Sequence, residues 1–544
     1  MRQYIGFRHF ITLLAFGGAV TGVSAYAQLA QPVESPPKSI SGLSDAKLRA
    51  IANGAVQAFD TPGLALGIVQ GGQVRFVDGF GQRDIEHNKS VDADTLFRIA
   101  STTKAFTSAA LAILVDEGIL HWDDKVIDFL PGFRMSDAWV TREFTIRDLL
   151  THRSGLGRGA GDLMLWPEPS GFTRDEIIFN LRYLKPVTSF RSRYAYDNLL
   201  YIVAGEVVAK ASKSTWEEFV QTRILDPLHM KCFSGKIRKS KLENVAIPYG
   251  FIEEKIQSIP RNKIDGSVTA SAPAGGLVCN VRGMNTWMLT MLGGGAGPNG
   301  QRIFSKAVRD EMWKSQTILS VSASERKLDN THFKTYALGW RKEDMHGYEV
   351  ISHTGTLSGM QAYLALVPEL DLGVIILNNG SNYGARNSVM QSVLKAYMGQ
   401  EKQDWVDYYA TRQKDAAERR KLVASNDNAS DGGSWKGSGK VLRPLTDYSG
   451  LYQDAWFGKV DIKNGANGLR FRSHKSKNMV GRLEPFDQNT FIVRWDNRGF
   501  GADAYARFET NFKGVISGIT MRHVDPNADF SFDFQDLNFE RLSE

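Results

Sequence analysis

Hydrophobic and polar positions change rhythm several times along the chain. From Asp45 to Phe59 the apolar residues recur at helical spacing. Leu64-Ala65-Leu66-Gly67-Ile68-Val69 and Val74-Arg75-Phe76-Val77 flank Gln70-Gly71-Gly72-Gln73, which predicts a β-hairpin. The apolar run from Ser101 through Asp116, stopped by Gly118, predicts a buried helix. Met360 to Val367 and Leu372 to Leu377 predict a second strand pair around Pro368-Glu369-Leu370-Asp371. Strands at both ends with helices between them predict an α+β unit over residues 43–400, its sheet assembled from distant segments.

Beyond Tyr397 the pattern shifts. Glu401 to Leu422 reads as a charged, mostly polar helix, and Asn426 to Lys440 as a Ser/Gly/Asn-rich linker, so that 401–440 joins two units. Residues 441–544 carry short alternating runs: Lys459 to Ile462, Leu469 to Phe471, Thr490 to Trp495, Ala504 to Phe508 and Phe530 to Phe534. Turn signals at Asn464-Gly465 and Asn497-Arg498-Gly499 separate them, predicting a small β-barrel or sandwich. No internal repeat is evident.

The first 27 residues read as a secretory signal. Arg2 and Arg8 form a basic start, Phe10 to Ala19 an apolar stretch too short to span a bilayer, and Ala25-Tyr26-Ala27 a cleavage site. The expected location is the periplasm or beyond, with no stable membrane insertion after cleavage. Residues 28–42 form a tether, extended by Pro32, Pro36 and Pro37. The 544 residues are 42% hydrophobic and 23% charged, ordinary for a globular protein, which argues against disorder and multiple membrane spans. A net charge of +7 without a Lys/Arg block argues against nucleic-acid binding. Cys232 and Cys279 form no C-x-x-C pair, so neither a zinc site nor a redox dithiol is expected. Spacing leaves a disulfide between them open, and the simplest reading is two small half-buried residues.

Ser101-Thr102-Thr103-Lys104 opens the apolar helix. Positions i and i+3 share a helix face, which puts a hydroxyl beside an amine, where a serine nucleophile needs a base. The first helical turn also aims free N–H groups and positive potential at the serine oxygen. Tyr196-Asp197-Asn198 precedes another apolar helix and can turn Tyr196 and Asn198 into one cleft. Tyr196 would exchange protons with Ser101 if Lys104 depressed its pKa. His353-Thr354-Gly355-Thr356 leads into the strand at Met360, with a small residue where a substrate backbone could approach closely.

S-x-x-K, Y-x-N and [KH]-[ST]-G, in that order, resemble the serine β-lactamase and penicillin-binding protein superfamily. Thr95 to Ala100, Leu114 to Leu120, Thr145 to Leu156, Pro227 to Met230, Pro273 to Leu277 and Tyr336 to Trp340 look most like its class C branch. That branch includes D-amino-acid peptidases, esterases and β-lactamases, and members of similar layout include enzymes that hydrolyse linearised microcystin. The resemblance covers roughly Leu43 to Tyr397. It implies an antiparallel sheet flanked by helices, of β-lactamase/transpeptidase type, and the last hundred residues resemble the lipocalin-like barrel of some peptidase members.

By the same resemblance Ser101 is the acylated nucleophile, Lys104 and Tyr196 share general base and acid work, and Asn198 holds the substrate's carbonyl side. His353, Thr354, Gly355 and Thr356 are implied to bind substrate, with the N–H groups of Ser101 and Thr356 as oxyanion hole. No metal or organic cofactor is implied. The expected partner is a small peptide substrate, and homo-oligomerisation is open. Three departures stand out. His353 occupies a position where lactamases more often have Lys, and a group titrating near neutrality weakens the case for β-lactam hydrolysis. Asp197 replaces a common Ser. Cys279-Asn280 and Gly283 suggest a reshaped helix start after Gly275-Gly276. The leading expectation is a hydrolase of amide bonds in short or D-residue-containing peptides. The alternatives are an esterase or weak β-lactamase of the same fold, and an inactive binder of muropeptides or β-lactams.

Overall fold

The computed structural model describes residues 42–253, 255–426 and 437–542. The signal segment 1–27 and residues 28–41 of the tether lie outside the described residues, as does most of the Asn426 to Lys440 linker. Among the described residues no helix is long and apolar enough to cross a membrane.

The first unit is organised by a nine-stranded antiparallel sheet. Its centre joins the two ends of the unit: Gly63–Gln70 lies beside Leu372–Asn378, with Leu64 opposite Asn378. Outward on one side come Gln73–Asp84 and Lys89–Ser90. On the other side come Met360–Val367, Tyr348–Leu357, Arg341–Met345, Lys334–Tyr336 and Thr317–Ile318. Successive side chains of a strand point to opposite faces. Accordingly Leu64, Leu66 and Ile68 join a core with Leu48, Val389 and Val393, from the helices Asp45–Ala58 and Tyr383–Tyr397. Ala65 and Val69 instead join the larger core with Val281, Met284 and Met288 of the helix Val281–Leu292. Helices cover both faces, so this strand is an unbroken apolar run rather than an alternating one.

The segment Ser101 to Asp116 is two elements: a 3₁₀ turn, Ala100–Thr103, then the α-helix Lys104–Asp116. Its residues Lys104 to Leu114 are all buried, as expected for a helix apolar on every side. The helix Val281–Leu292 is capped by Asn280, which accepts from the Gly283 N–H at 2.8 Å. Cys232 and Cys279 are disulfide-bonded, which corrects the half-buried free-thiol reading. They face each other across paired antiparallel strands with Cα atoms 4.1 Å apart.

The polar helix runs Trp405–Asn426, begun by Asp404, which accepts from the Val406 and Asp407 N–H groups. The last unit is a closed eight-stranded antiparallel β-barrel, from Gly450–Asp454 to Asn538–Arg541, with Tyr452 pairing back to Arg541. Closure leaves no unpaired edge. Its interior is aromatic, with Tyr452, Phe471, Phe491, Trp495, Phe508 and Phe539 buried. Two expectations fail here. The first hairpin turns at Ala466-Asn467, two residues beyond Asn464-Gly465. Phe530 to Phe534 is no strand: it turns and enters the short 3₁₀ helix Phe534–Asp536. Its alternation mimics a strand, but Asp533 spends its carboxylate on backbone N–H groups of the other unit, which holds the chain out of the barrel wall.

Candidate active site

The residues singled out by spacing converge on one cavity of about 1300 Å3, lined in part by Ser101, Tyr196, Asn198, Thr354 and Thr356. The Ser101 turn is gripped from several directions. Ile99 N–H donates to Leu277 O at 3.0 Å, Thr102 Oγ1 to Ile99 O at 2.7 Å, and Leu277 N–H to Thr103 Oγ1 at 3.2 Å. Ala100, just before the serine, is held at φ +48°, a left-handed conformation that strains a non-glycine residue.

Lys104 is 0% exposed, and its Nζ donates to Ser101 Oγ (3.2 Å), Asn198 Oδ1 (2.7 Å) and Ala274 O (2.9 Å). Burial pulls its pKa down to about 7, against the opposing pull of the Asp162 and Asp197 carboxyls. The amine is therefore largely neutral just above neutrality: its two remaining hydrogens stay on Asn198 Oδ1 and Ala274 O, and its lone pair accepts from the Ser101 hydroxyl. Its Nζ also lies 4.8 Å from the Tyr196 ring centre and 5.1 Å from that of Tyr201.

Tyr196 moves the other way. Burial raises its pKa, while its hydrogen bond with Ser101 works against the rise. The expectation that Lys104 depresses it is corrected: Tyr196 keeps its proton near pH 7. His152, missed from sequence, packs its ring 4.3 Å from that of Tyr196. Its Nδ1 accepts the Asp197 N–H at 3.1 Å, and burial holds it neutral, well below the usual histidine range. Burial also lifts the Asp197 carboxyl to about 7. Asp197, not Asn198, accepts a first-turn N–H of the helix Leu199–Ser212, from Leu200 at 3.3 Å. That frees the Asn198 amide to bridge Lys104 and the buried Asp162, to which its Nδ2 donates at 2.8 Å.

The opposite wall is the Tyr348–Leu357 strand. Its neighbour Arg341–Met345 pairs with it only as far as Ser352, so His353 to Leu357 present an uncovered edge. The two-residue turn Ser358-Gly359 makes Leu357 and Met360 a hydrogen-bonded pair. By alternation the N–H groups of Thr354 and Thr356 then point to that edge. Gly355 is required by packing: a Cβ there would lie 2.2 Å from Ile99 O, against the backbone that presents Ser101. His353 sits differently from expectation. It is 1% exposed, Nε2 shares a 2.9 Å hydrogen bond with the Tyr336 hydroxyl, and Nδ1 donates to Thr354 O at 2.7 Å. Burial keeps it neutral, well below the usual range, so it is not a group titrating near neutrality.

Two arginines stand on this wall, Arg341 one strand over and Arg386 behind Gly355. Arg341 is the one bonded to the third-motif threonine. It lines the cavity and donates to Thr354 Oγ1 at 3.0 Å, and among the described residues no carboxylate pairs with it. Burial opposes its charge, but the surrounding Tyr194, Tyr336 and Tyr196 hydroxyls hold its pKa above the usual arginine value. Arg386 donates to Gly355 O, Thr356 Oγ1 and Ala362 O. The barrel closes a third side through Ala528, Phe530 and Phe532, with the Phe530 and Tyr196 rings edge to face at 6.0 Å. No short-range motif marks Arg341, Asp162 or Phe530; only the fold brings them to Ser101.

A serine beside a buried neutral amine, a protonated tyrosine and an open strand edge can form and release an acyl ester. A family model described as Beta-lactamase matches residues 48–395, and the chain belongs to that family, whose members are generally serine hydrolases. A second model, described as a domain of unknown function, matches residues 439–541. Similar curated proteins include the unguisins hydrolase of Aspergillus violaceofuscus, 24% identical over 441 residues, covering 75% of this chain and 74% of that one. Its counterpart in Aspergillus campestris is 27% identical over 344 residues, covering 59% and 60%. Protein flp of Staphylococcus aureus is 24% identical over 330 residues, covering 58% and 59%. Among solved structures, the octameric penicillin-binding protein homologue from Pyrococcus abyssi superposes with TM-score 0.58 at 20% identity, covering 92% of this chain and 100% of that one. The class C beta lactamase from Rhodobacter sphaeroides gives 0.51 at 20%, covering 65% and 98%. These two likenesses concern the fold.

Proposed function

We propose that the protein is an exported serine hydrolase cleaving amide bonds of short or D-residue-containing peptides through an acyl-enzyme on Ser101. The observation that carries this is Lys104: a fully buried amine, 3.2 Å from Ser101 Oγ, with its pKa lowered to about 7. The Ser101 proton passes to the Lys104 amine as Oγ attacks the carbonyl carbon. The developing oxyanion is held by the N–H groups of Ser101 and Thr356. Collapse of the tetrahedral intermediate breaks the C–N bond. The leaving amine takes the Tyr196 hydroxyl proton, and the Lys104 ammonium restores it. Water then attacks the ester by the reverse relay, releasing the acid and Ser101.

Asn198 orients the substrate amide, and the Thr354–Thr356 edge pairs with its backbone. Arg341, rather than His353, receives a substrate carboxylate, which suits peptides with free or side-chain carboxyl groups, the linearised-microcystin type included. The hydrolases among the relatives support hydrolysis. Export is supported by the signal-like N-terminus and by the Cys232–Cys279 disulfide, a bond that persists in oxidising compartments.

The test is a fluorophosphonate label followed by peptide and ester panels read by product mass. We expect label on Ser101 and turnover of acidic or D-residue-containing linear peptides. Ser101→Ala should lose both, with turnover down by several orders of magnitude. Label elsewhere, or residual turnover above about a tenth, would refute the assignment.

A further inference from the structure

Besides its aromatic wall, the barrel unit sends one buried carboxyl group, Asp533, to the turn behind the catalytic centre. Asp533 is 0% exposed, and its Oδ2 and Oδ1 accept the N–H groups of Gly161 (2.5 Å) and Leu163 (3.0 Å). Those two amides flank Asp162, itself 0% exposed. Asp162 Oδ2 accepts from Asn198 Nδ2 at 2.8 Å, and Asn198 Oδ1 accepts from Lys104 Nζ at 2.7 Å. An amide has a donor end and an acceptor end, and only this orientation satisfies both neighbours. The turn has no slack of its own. Gly161 lies at φ +77°, and at Gly159 a Cβ would sit 2.6 Å from the Phe530 ring and 2.8 Å from Phe530 O.

We propose that Asp533 is a positioning residue for catalysis, clamping the turn that carries Asp162 and so, through Asn198, holding the Lys104 amine on Ser101. The inference rests on the acyl-enzyme reading above. Ser531 of the same segment also hydrogen-bonds the Asp162 carboxyl, whereas two other bonds between the units end elsewhere: Asn478 Nδ2 donates to Glu168 O at 2.7 Å, and Asn180 Nδ2 to Trp456 O at 2.8 Å. A plain staple between the units has no need of a buried carboxylate. Burial pushes the Asp533 carboxyl well above its usual range, and the two converging N–H groups work against that rise. The titratable and charged groups around Asp533 are Asp162 and Asp536, both raised by burial, Asp162 well above the usual carboxyl range. Those around Lys104 are Asp162, Asp197 and Arg341, with the neutral His152 and His353 nearby. Releasing the clamp lets the turn move and water enter beside Asn198, so Lys104 regains hydration and holds its proton to higher pH.

The experiment uses the full chain with Asp533→Ala, the near-isosteric Asp533→Asn, and Asn478→Ala, which cuts a different bond between the units. The fluorophosphonate labelling rate is measured across pH, and the Lys104 titration is followed by lysine-selective NMR. Asp533→Ala should raise the Lys104 midpoint from about 7 by about one unit or more, and so slow labelling at pH 7 about fivefold or more. Asp533→Asn, which keeps one accepting oxygen, should fall between it and wild type, and Asn478→Ala should match wild type in both readouts. A folded Asp533→Ala with unchanged midpoint and rate would overturn the proposal. If that variant does not fold, an unchanged midpoint in Asp533→Asn would do the same. The NMR readout does not depend on turnover, so an unlabelled Ser101 would count against the hydrolase reading and a fixed Lys104 midpoint against the clamp.

Discussion

At the scale of single residues, burial shifts the protonation of two groups at this site, Lys104 and His353. Lys104 is pulled down to about 7 by burial, so its base form appears as pH rises through neutrality. Acylation should therefore climb through about pH 7 and level off above it, with no second rise from His353, which stays neutral throughout. A stopped-flow pH profile of ester acylation checks this, and a rate that falls between pH 7 and 8 would contradict it. Arg341 and His353 should also separate in kind. Arg341→Gln should raise KM for carboxylate-bearing substrates about tenfold or more, the scale of a charge-assisted hydrogen bond, and leave neutral esters little changed. His353→Leu should instead cost about 1–3 kcal/mol of stability by orphaning the buried Tyr336 hydroxyl, measured by urea unfolding.

At the scale of elements, the site depends on how closely the Tyr348–Leu357 strand approaches the turn before Ser101. Gly355 sets that approach, since a methyl group there would meet Ile99 O at 2.2 Å. Gly355→Ala must push the strand or the turn away. It should cost about 1–3 kcal/mol, the range for overpacking, and reduce labelling of Ser101 more than an equally destabilising core substitution does. Thermal unfolding and the labelling rate, measured on the same two proteins, separate the effects. Equal labelling losses at equal stability would mean that this contact serves packing alone.

At the scale of the whole molecule, the Cys232–Cys279 bond ties together segments 47 residues apart, and Cys279 also pairs with Phe97, four residues before Ser101. A loop of that length constrains the unfolded chain by about 4 kcal/mol in the chain-entropy view. Replacing both cysteines by serine should lower stability by up to that amount, and wild type treated with reductant should follow it. Denaturant titrations of the three samples measure this; no difference among them would show that the disulfide does not contribute.

Much of this arrangement is written locally. The sheet-centre runs at Leu64 and Leu372, the buried helix after Ser101, and the barrel strands at Leu469 and Thr490 announce themselves through apolar periodicity, because burial selects residue type at each position. Ser101 and Lys104 meet because a single helical turn spans three residues. What spacing does not carry is the company these residues keep. Arg341 on the neighbouring strand, Asp162 on a glycine turn and Asp533 in a segment with strand-like alternation come to Ser101 only through sheet register and the docking of the barrel. The protonation of Lys104, Tyr196 and His353 follows from how far each is buried. Burial is a property of the assembled packing, so residue type alone left each of those groups at its ordinary value, and only the tertiary structure moved it.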